Sequence, residues 1–115
     1  MPDSLVRLHK AILTARLLDP GQSKTARLFQ DGVPKMAKKL VEEAAEVALD
    51  AVGGDRRKVI LESADLLYNL AVIWAQMGIK PSDVEDEMHR REQLYGIAEK
   101  LPKRAQKPVR KAKAA

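Results

Sequence analysis

The sequence contains no cysteine among its 115 residues, and its aromatic residues are one tryptophan, two tyrosines and one phenylalanine. Without cysteine, the chain can form neither a disulfide framework nor a site based on thiol chemistry. No apolar run reaches the roughly 20 residues that a membrane-spanning helix needs. The first residues lack a positive stretch followed by an apolar run, so we expect no signal peptide. These absences favour a protein of the reducing cytoplasm.

The net charge of +5 is distributed unevenly along the chain. Six of the 21 basic residues follow Pro102, where there is no acid, which leaves 15 basic against 16 acidic residues before it. The last residues also have too little apolar content to fold. We therefore predict a folded domain over residues 1–101 and a basic disordered tail over residues 102–115. A nucleic-acid-binding or acidic-partner role is the alternative for the tail, but it has no interleaved aromatic residues and no recognisable binding motif.

The apolar pattern predicts an all-α fold with four main helices and no strand. We place the first helix from a Ser4 cap to about Leu18. Its expected apolar stripe consists of Leu5, Leu8, Ile12, Ala15 and Leu17. The segment 22–32 is expected to be a connector that is partly helical at most.

The remaining three predicted helices follow each other through short connections, which indicates antiparallel neighbours in a helical bundle. Their predicted bounds are Pro34 to about Val52, an Asp55 cap to about Met77, and a capping box at 82–85 to about Leu94. The third helix is apolar at nearly every angle and is expected to be buried. Its apolar surface exceeds what so short a chain can cover, so we predict that dimerisation completes the bundle.

Two acidic clusters fall on the second and third predicted helices. The first consists of Glu42, Glu43 and Glu46, and the second of Glu62 and Asp65. Because a helical residue advances about 100°, the acids of each cluster project from one side. Carboxylates beside an apolar core need cations or hydrogen-bond donors. Acids without histidine or cysteine suit Mg²⁺ or Mn²⁺ rather than zinc, so we predict a divalent-metal site; surface acids on amphipathic helices are the plainer interpretation.

The acidic clusters belong to a longer series of motifs in a fixed order. The series is Ser23-x-Thr25-x-x-Leu28, Gly32, Lys35, the motif from Lys39 to Glu46, Gly54-Asp55-Arg56, the motif from Glu62 to Tyr68, 84–91, Gly96 and Glu99-Lys100. This order resembles the MazG-like superfamily of all-α nucleotide pyrophosphohydrolases, whose metal signature is E-E-x-x-E followed one helix later by E-x-x-D. Within it, the chain most resembles the phosphoribosyl-ATP pyrophosphatases of histidine biosynthesis, over residues 23–104. Departures from that family's pattern are Lys24, Val41 and Asn69, where an aromatic residue, glycine and histidine are usual.

The resemblance implies an enzyme, a phosphoribosyl-ATP diphosphatase. It would hydrolyse the α–β phosphoanhydride of phosphoribosyl-ATP to phosphoribosyl-AMP and pyrophosphate with Mg²⁺, for which Mn²⁺ can substitute. It also implies a homodimer with its sites near the subunit contact. We predict metal ligation by Glu43, Glu46, Glu62 and Asp65, and we assign catalysis to Glu42, Glu43 and Glu46. Glu42 is either a further ligand or the base that orients the attacking water.

A polyanionic substrate requires cations and donors beside the acids. Lys35, Lys38 and Lys39 precede the first acidic cluster by one to two turns and are the first phosphate-binding candidates. Arg90 and Arg91 are the second, because arginine offers a planar bidentate fork. The polar candidates are Ser23 and Thr25, for phosphate, ribose or a local cap, and Asn69, for orienting a ligand or water. His9 and His89 are isolated, and Trp74 is expected in the core.

Two other functions are compatible with the same residues. A MazG-type pyrophosphohydrolase of nucleoside or deoxynucleoside triphosphates would keep the metal acids and differ in base and ribose recognition. A non-catalytic helical interaction protein would use the basic tail to bind nucleic acid, which the intact acidic clusters argue against. We expect a small nucleotide substrate and a homodimer, with neither a membrane nor a nucleic acid as partner.

Overall fold

The computed structural model describes residues 2–96, and every regular element in this range is an α-helix. The helices are α1 (Asp3–Ala15), α2 (Lys24–Asp31), α3 (Val33–Val52), α4 (Arg56–Met77) and α5 (Pro81–Tyr95). This confirms the predicted all-α fold class, with five helices in place of four. The predicted tail, 102–115, lies outside the described residues.

The chain divides into two compact units, residues 1–81 and residues 82–115. The first unit contains α1 to α4, and the second contains α5 apart from its first residue. In the second unit, Glu87 accepts hydrogen bonds from both Arg90 and Arg91. The helix begins at Pro81, so Ser82 lies inside it and the predicted capping box is misplaced.

α3 and α4 form the most extensive helix pair in the first unit. The turn between them covers residues 53–55, where Gly54 has a φ of 73°. Asp55 caps α4 by accepting a hydrogen bond from the Lys58 backbone N–H at 3.1 Å, as the sequence predicts. Left-handed Gly78 ends α4, and the Ile79 N–H then donates to the Trp74 carbonyl. So short a turn makes the two helices antiparallel neighbours.

α1 differs from its prediction at both ends. The Leu5 and Val6 N–H groups donate to the Pro2 carbonyl, so the helix begins before Ser4 and the predicted Ser4 cap is wrong. The helix ends at Ala15, and Leu17 lies in the following turn with 81% of its surface exposed. Leu17 therefore does not belong to the apolar stripe, because helical spacing no longer applies beyond Ala15.

α2 replaces the predicted connector, and its two ends explain why it forms. The Ser23 hydroxyl accepts the Ala26 N–H at 3.1 Å, which caps the first turn. Gly32, with a φ of 90°, ends the helix. Ala26 and Leu28 are buried, so tertiary packing supports a helix too short to be stable alone. The prediction of at most partial helix was wrong because the helix is short and mostly polar, with three apolar side chains among its eight residues.

The core of the first unit receives side chains from all four of its helices. It consists of Ile12, Leu28, Met36, Ala71, Val72 and Ala75. Trp74 is buried as predicted, and His9 is buried with its Nε2 3.1 Å from the Ile79 carbonyl oxygen. The N-terminal half of α4 is less buried than predicted, since Ile60 and Leu61 remain about half exposed. No helix in residues 2–96 is long and apolar enough to cross a membrane.

Candidate active site

The α3–α4 hairpin places the two acidic clusters side by side, at equal distances along the helices from the turn. Glu43 lies ten residues before the turn at 53–55 and Asp65 ten residues after it. With a helical rise of about 1.5 Å per residue, both are about 15 Å from the turn. Glu62 precedes Asp65 by three residues and therefore lies on the same face of α4. One carboxylate oxygen each of Glu43, Glu62 and Asp65 lies within 4.8 Å of the others.

Two of these carboxylates each have a buried oxygen without a hydrogen-bond donor among the described residues. Glu43 and Glu62 are partly buried, and the Oε2 atom of each is buried without a hydrogen-bond partner among the described residues. An unpaired buried carboxylate oxygen is destabilising unless a donor or cation compensates it. Hard anionic oxygens at this spacing are ligands that Mg²⁺ or Mn²⁺ accepts. The donor set therefore fits a divalent cation.

Crowding of the acids also changes their protonation. The pKa of Glu62 is raised to about 7, chiefly by its side-chain contact with Glu46 and then by burial and the contact with Glu43. Burial raises the pKa of Glu43, and repulsion from Glu46 and Asp65 adds to the effect, although the contact with Glu62 opposes it. Glu46 therefore belongs to the same cluster, even though its side chain is exposed. A bound cation would offset this repulsion.

An open cleft of about 580 Å³ lies beside the acids. Its lining comes from α2, α3 and α4, and consists of Lys24, Arg27, Leu28, Asp31, Lys35, Lys39, Glu43, Asp65, Tyr68 and Asn69. A second depression of about 420 Å³ is lined by Glu46, Leu49, Asp50, Lys58, Leu61 and Glu62. The acidic cluster thus contributes to both, with Glu43 and Asp65 at the first and Glu46 and Glu62 at the second. The first has the size of an ordinary small-molecule site.

The cleft carries separated charges of both signs. No carboxylate of residues 2–96 lies within 4.0 Å of the charged nitrogens of Lys24, Arg27, Lys35 or Lys39. The four cations are therefore not neutralised by the acids of the same cleft. A cationic wall beside a carboxylate cluster matches a polyanion bound together with a divalent cation.

The family model described as "Phosphoribosyl-ATP pyrophosphohydrolase" matches residues 5–92, which include the whole acidic cluster and the cleft. The chain belongs to this family. A relative named phosphoribosyl-ATP pyrophosphatase 2, from Rhodopseudomonas palustris, is 67% identical over 103 residues, covering 90% of this chain and 79% of the relative. A second with the same name, from Bradyrhizobium diazoefficiens, is 64% identical over 107 residues, covering 93% and 80%. Phosphoribosyl-ATP pyrophosphatase of Rhizorhabdus wittichii is 46% identical over 100 residues, covering 87% and 94%.

The four residues predicted as metal ligands in this phosphoribosyl-ATP pyrophosphohydrolase family member lie together. Glu43, Glu62 and Asp65 form the close group, and Glu46 contacts Glu62. Glu42 is exposed and is not in the close group. Its assignment as a further ligand or base stays a prediction.

Four of the cation and amide predictions concern α3 and α4. All three lysines are exposed, but only Lys35 and Lys39 line the cleft and Lys38 does not. Helical spacing explains the difference, because Lys35, Lys39 and Glu43 follow one face in steps of four residues, whereas Lys38 is turned by about 100° from Lys39. Asn69 is buried and lines the cleft, and its Nδ2 donates to the Asp65 backbone carbonyl at 2.9 Å.

The other predicted phosphate-binding residues have protein partners. Ser23 caps α2, and the Thr25 hydroxyl lies 2.6 Å from the Tyr68 hydroxyl. Arg90 and then Arg91 hold the pKa of Glu87 well below its ordinary value, at about 2, through their hydrogen bonds to its carboxylate. Ser23 and the two arginines are thus engaged in local structure.

Sequence reasoning missed the residues that α2 contributes to the cleft. Lys24, Arg27, Leu28 and Asp31 all line it, and their spacing of i, i+3, i+4 and i+7 is one face of a helix. The signal was present in the sequence. It could have been recognised only if 24–31 had been predicted as a helix. Tyr68 was also missed as a cleft residue, although its motif was identified.

Proposed function

We propose that this chain hydrolyses the α–β phosphoanhydride of phosphoribosyl-ATP to phosphoribosyl-AMP and pyrophosphate, in histidine biosynthesis. Family membership and the names of relatives up to 67% identical support the substrate and reaction. The observation that carries the chemistry is the group of Glu43, Glu62 and Asp65 beside a cleft with unpaired cations. A cytoplasmic location, where a biosynthetic nucleotide would be met, is part of the same proposal.

Glu43, Glu46, Glu62 and Asp65 would hold the divalent cation, which we propose to be Mg²⁺ with Mn²⁺ as a substitute. The buried, unpartnered oxygens of Glu43 and Glu62 support this choice. When bound, such an ion supplies charge neutralisation at phosphate oxygens and a more acidic water. Since Mg²⁺ usually retains several waters, the four acids need not all ligate it directly.

The protein's own residues position the substrate around these acids. Lys35 and Lys39 follow one face of α3 toward Glu43, so phosphates bound along that face would be led to the acids. Asn69 is fixed by its bond to the Asp65 carbonyl, which leaves its side-chain oxygen to orient a water or ligand group. Positioning of this kind and electrostatic stabilisation account for most of the catalysis in phosphoryl chemistry.

The experiment is a pyrophosphate-release assay on phosphoribosyl-ATP, with and without Mg²⁺, beside a panel of deoxynucleoside triphosphates. We expect Mg²⁺-dependent release with a preference for phosphoribosyl-ATP. Glu43→Gln and Asp65→Asn should lose at least 100-fold in kcat/KM, about 2.7 kcal/mol, because the ligand charge is removed at unchanged size. Glu92→Gln, an exposed substitution on α5, is the matched control.

Faster turnover of a deoxynucleoside triphosphate would replace the proposed substrate and retain the metal site. Near-wild-type rates in both Glu43→Gln and Asp65→Asn would contradict the metal site itself. Glu42→Gln tests the remaining prediction, since a base or ligand at this position would give a loss comparable to that of Glu43→Gln.

A further inference from the structure

One wall of the cleft is formed by a helix that bears none of the metal-binding acids. α2 directs Lys24, Arg27, Leu28 and Asp31 to the cleft, while the acids lie on α3 and α4. Lys24 and Arg27 are three residues apart on this wall, so their charges are close. A wall of this kind offers a phosphate-binding surface in addition to that of Lys35 and Lys39.

Arg27 is held in place by the chain that precedes its helix. Its Nε donates to the Pro20 carbonyl at 3.2 Å. The turn carrying that carbonyl is itself organised by Asp19, whose side chain accepts the Gly21 N–H and whose carbonyl accepts the Gln22 and Ser23 N–H groups. The Pro20 bond uses Nε and leaves the two terminal nitrogens of the guanidinium available as a planar pair of donors.

The remaining donors of Arg27 have no acidic partner in the described part of the chain. Asp31, four residues further along α2, would be the natural intrahelical partner, but no ion pair joins the two within 4.0 Å. An anchored guanidinium with free terminal donors in a concave site is suited to bidentate phosphate binding.

A hydrogen bond between side chains joins α2 to the helix that carries two of the acids. The Thr25 hydroxyl and the Tyr68 hydroxyl are 2.6 Å apart and link α2 to α4 across 43 residues. Tyr68 follows Asp65 by one helical turn. The bond therefore connects α2, which carries Lys24 and Arg27, to the helix that carries two of the proposed metal ligands.

We propose that Arg27, supported by Lys24, binds a phosphate group of the substrate through the terminal nitrogens of its guanidinium, and that the Thr25–Tyr68 bond positions it. This rests on the proposed function, whose substrate has two sources of that chemistry. One is the β- and γ-phosphates released as pyrophosphate, and the other is the phosphate of the phosphoribosyl end. Each source presents a terminal phosphate, the γ-phosphate or the phosphate of the phosphoribosyl end, whose oxygens match the planar fork.

The test compares Arg27→Gln, Arg27→Lys and the control Arg7→Gln, an exposed arginine on α1 outside the cleft. Arg27→Gln should raise KM for phosphoribosyl-ATP at least tenfold, about 1.4 kcal/mol, with kcat within about threefold. Arg27→Lys should fall between Arg27→Gln and wild type, because it keeps the charge and loses the fork. Circular dichroism checks that each variant remains helical.

Competition by inorganic pyrophosphate and by ribose 5-phosphate separates the two phosphate sources. Weaker inhibition of Arg27→Gln by pyrophosphate places Arg27 at the leaving group, and weaker inhibition by ribose 5-phosphate places it at the phosphoribosyl end. KM and inhibition equal to those of Arg7→Gln would falsify the proposal.

Tyr68→Phe tests the positioning bond without removing a charge. It should raise KM in the wild-type background and add little in the Arg27→Gln background, because it acts through Arg27. An equal KM effect in both backgrounds would show that the bond is structural only.

The phosphate site can be tested separately from the proposed reaction. If the wild-type chain released no pyrophosphate from phosphoribosyl-ATP, calorimetric titration with inorganic pyrophosphate and with ribose 5-phosphate would still compare Arg27→Gln with Arg7→Gln. Tenfold weaker binding to Arg27→Gln would then support the phosphate site without the proposed reaction. If neither pyrophosphate nor ribose 5-phosphate bound the wild-type chain, the proposed phosphate site would be overturned.

Discussion

The acidic cluster is suited to a metal ion, and for the same reason its side chains destabilise the protein when no metal is bound. Glu43 and Glu62 each bury an oxygen that has no partner among residues 2–96. Burial raises the pKa of Glu43 and the contact with Glu46 raises the pKa of Glu62, and repulsion among the acids adds to both shifts. In the absence of a cation, a proton is the available means of neutralising Glu62. Protonation and metal binding should therefore compete at Glu62.

The pKa of Glu62 predicts how the metal-free protein depends on pH. Its value of about 7 in the folded chain lies above the ordinary 4.5, so between these values the folded state holds a proton that the unfolded state has lost. The contribution of Glu62 to stability is thus complete below pH 4.5 and is lost as pH rises to 7. Denaturant unfolding of EDTA-treated protein should show this fall, and saturating Mg²⁺ should reduce it.

Glu62→Gln is the control for this prediction, because a neutral amide cannot titrate. The fall in stability between pH 4.5 and 7 should be smaller in this variant. A variant curve with the same slope as wild type would assign the pH dependence to other groups.

At the residue scale, the sequence predicted best what helical spacing alone determines. Glu43, Glu46, Glu62 and Asp65 were predicted together because each pair lies within one turn of one helix. Lys38 was grouped with Lys35 and Lys39 by proximity in sequence, and spacing separates it from them. The Thr25–Tyr68 bond spans 43 residues, and no local pattern indicates such a contact.

At the element scale, α3 and α4 were predictable and α2 was not. Val52 and Met77 were predicted as the ends of their helices because glycines follow them, and Asp55 was predicted as a cap because its side-chain oxygen can accept a free N–H. α2 has only eight residues, and its stability comes from burying Ala26 and Leu28 on other helices. Ser23 and Gly32 marked its two ends, but end signals without a long apolar period are weak predictors.

The joint between α2 and α3 is a single residue, Gly32. Its φ of 90° and ψ of −179° lie in a region that is almost exclusive to glycine. A Cβ added at Gly32 would lie no closer than 3.8 Å to the nearest atom, Pro34 Cδ, so a steric clash does not prevent substitution. A side chain is instead disfavoured at Gly32 by the backbone conformation itself. This conformation also sets the direction in which α2 presents Arg27 relative to α3.

Gly32→Ala should therefore destabilise the chain by about 1–3 kcal/mol through backbone strain. If relief of this strain turns α2, the KM for the substrate should rise as well. Gly53→Ala is the matched control, since Gly53 has an ordinary helical φ of −73° and a Cβ there would make only van der Waals contact with the Leu49 carbonyl at 3.5 Å. We expect this control to be neutral or slightly stabilising. Equal denaturant midpoints for the two variants would contradict the assigned role of Gly32.

At the scale of the whole molecule, the first unit leaves large apolar side chains uncovered. On α3 these are Val33, Val41, Leu49 and Val52, and on α4 they are Ile60, Leu61, Leu67 and Met77. Leu49 and Leu61 line the second depression together with Glu46 and Glu62. Exposed apolar side chains from two helices that line one depression, as Leu49 and Leu61 do, are typical of an interaction site. The sequence anticipated this excess on α4 but not the share of it on α3, because which residues stay exposed depends on tertiary packing.

We predict that a second copy of the chain covers this surface and forms a homodimer. A symmetric pair would bury the apolar residues of both hairpins and bring the acidic cluster near the subunit contact. Light scattering at micromolar concentration should then give twice the chain mass of 12.8 kDa. Leu49→Asp should shift the mass toward the monomer, because each interface would bury two unpaired charges. Leu17→Asp, at a leucine 81% exposed in the turn after α1, should leave the mass unchanged. A stable, active wild-type species of 12.8 kDa would show that the site is complete within one chain.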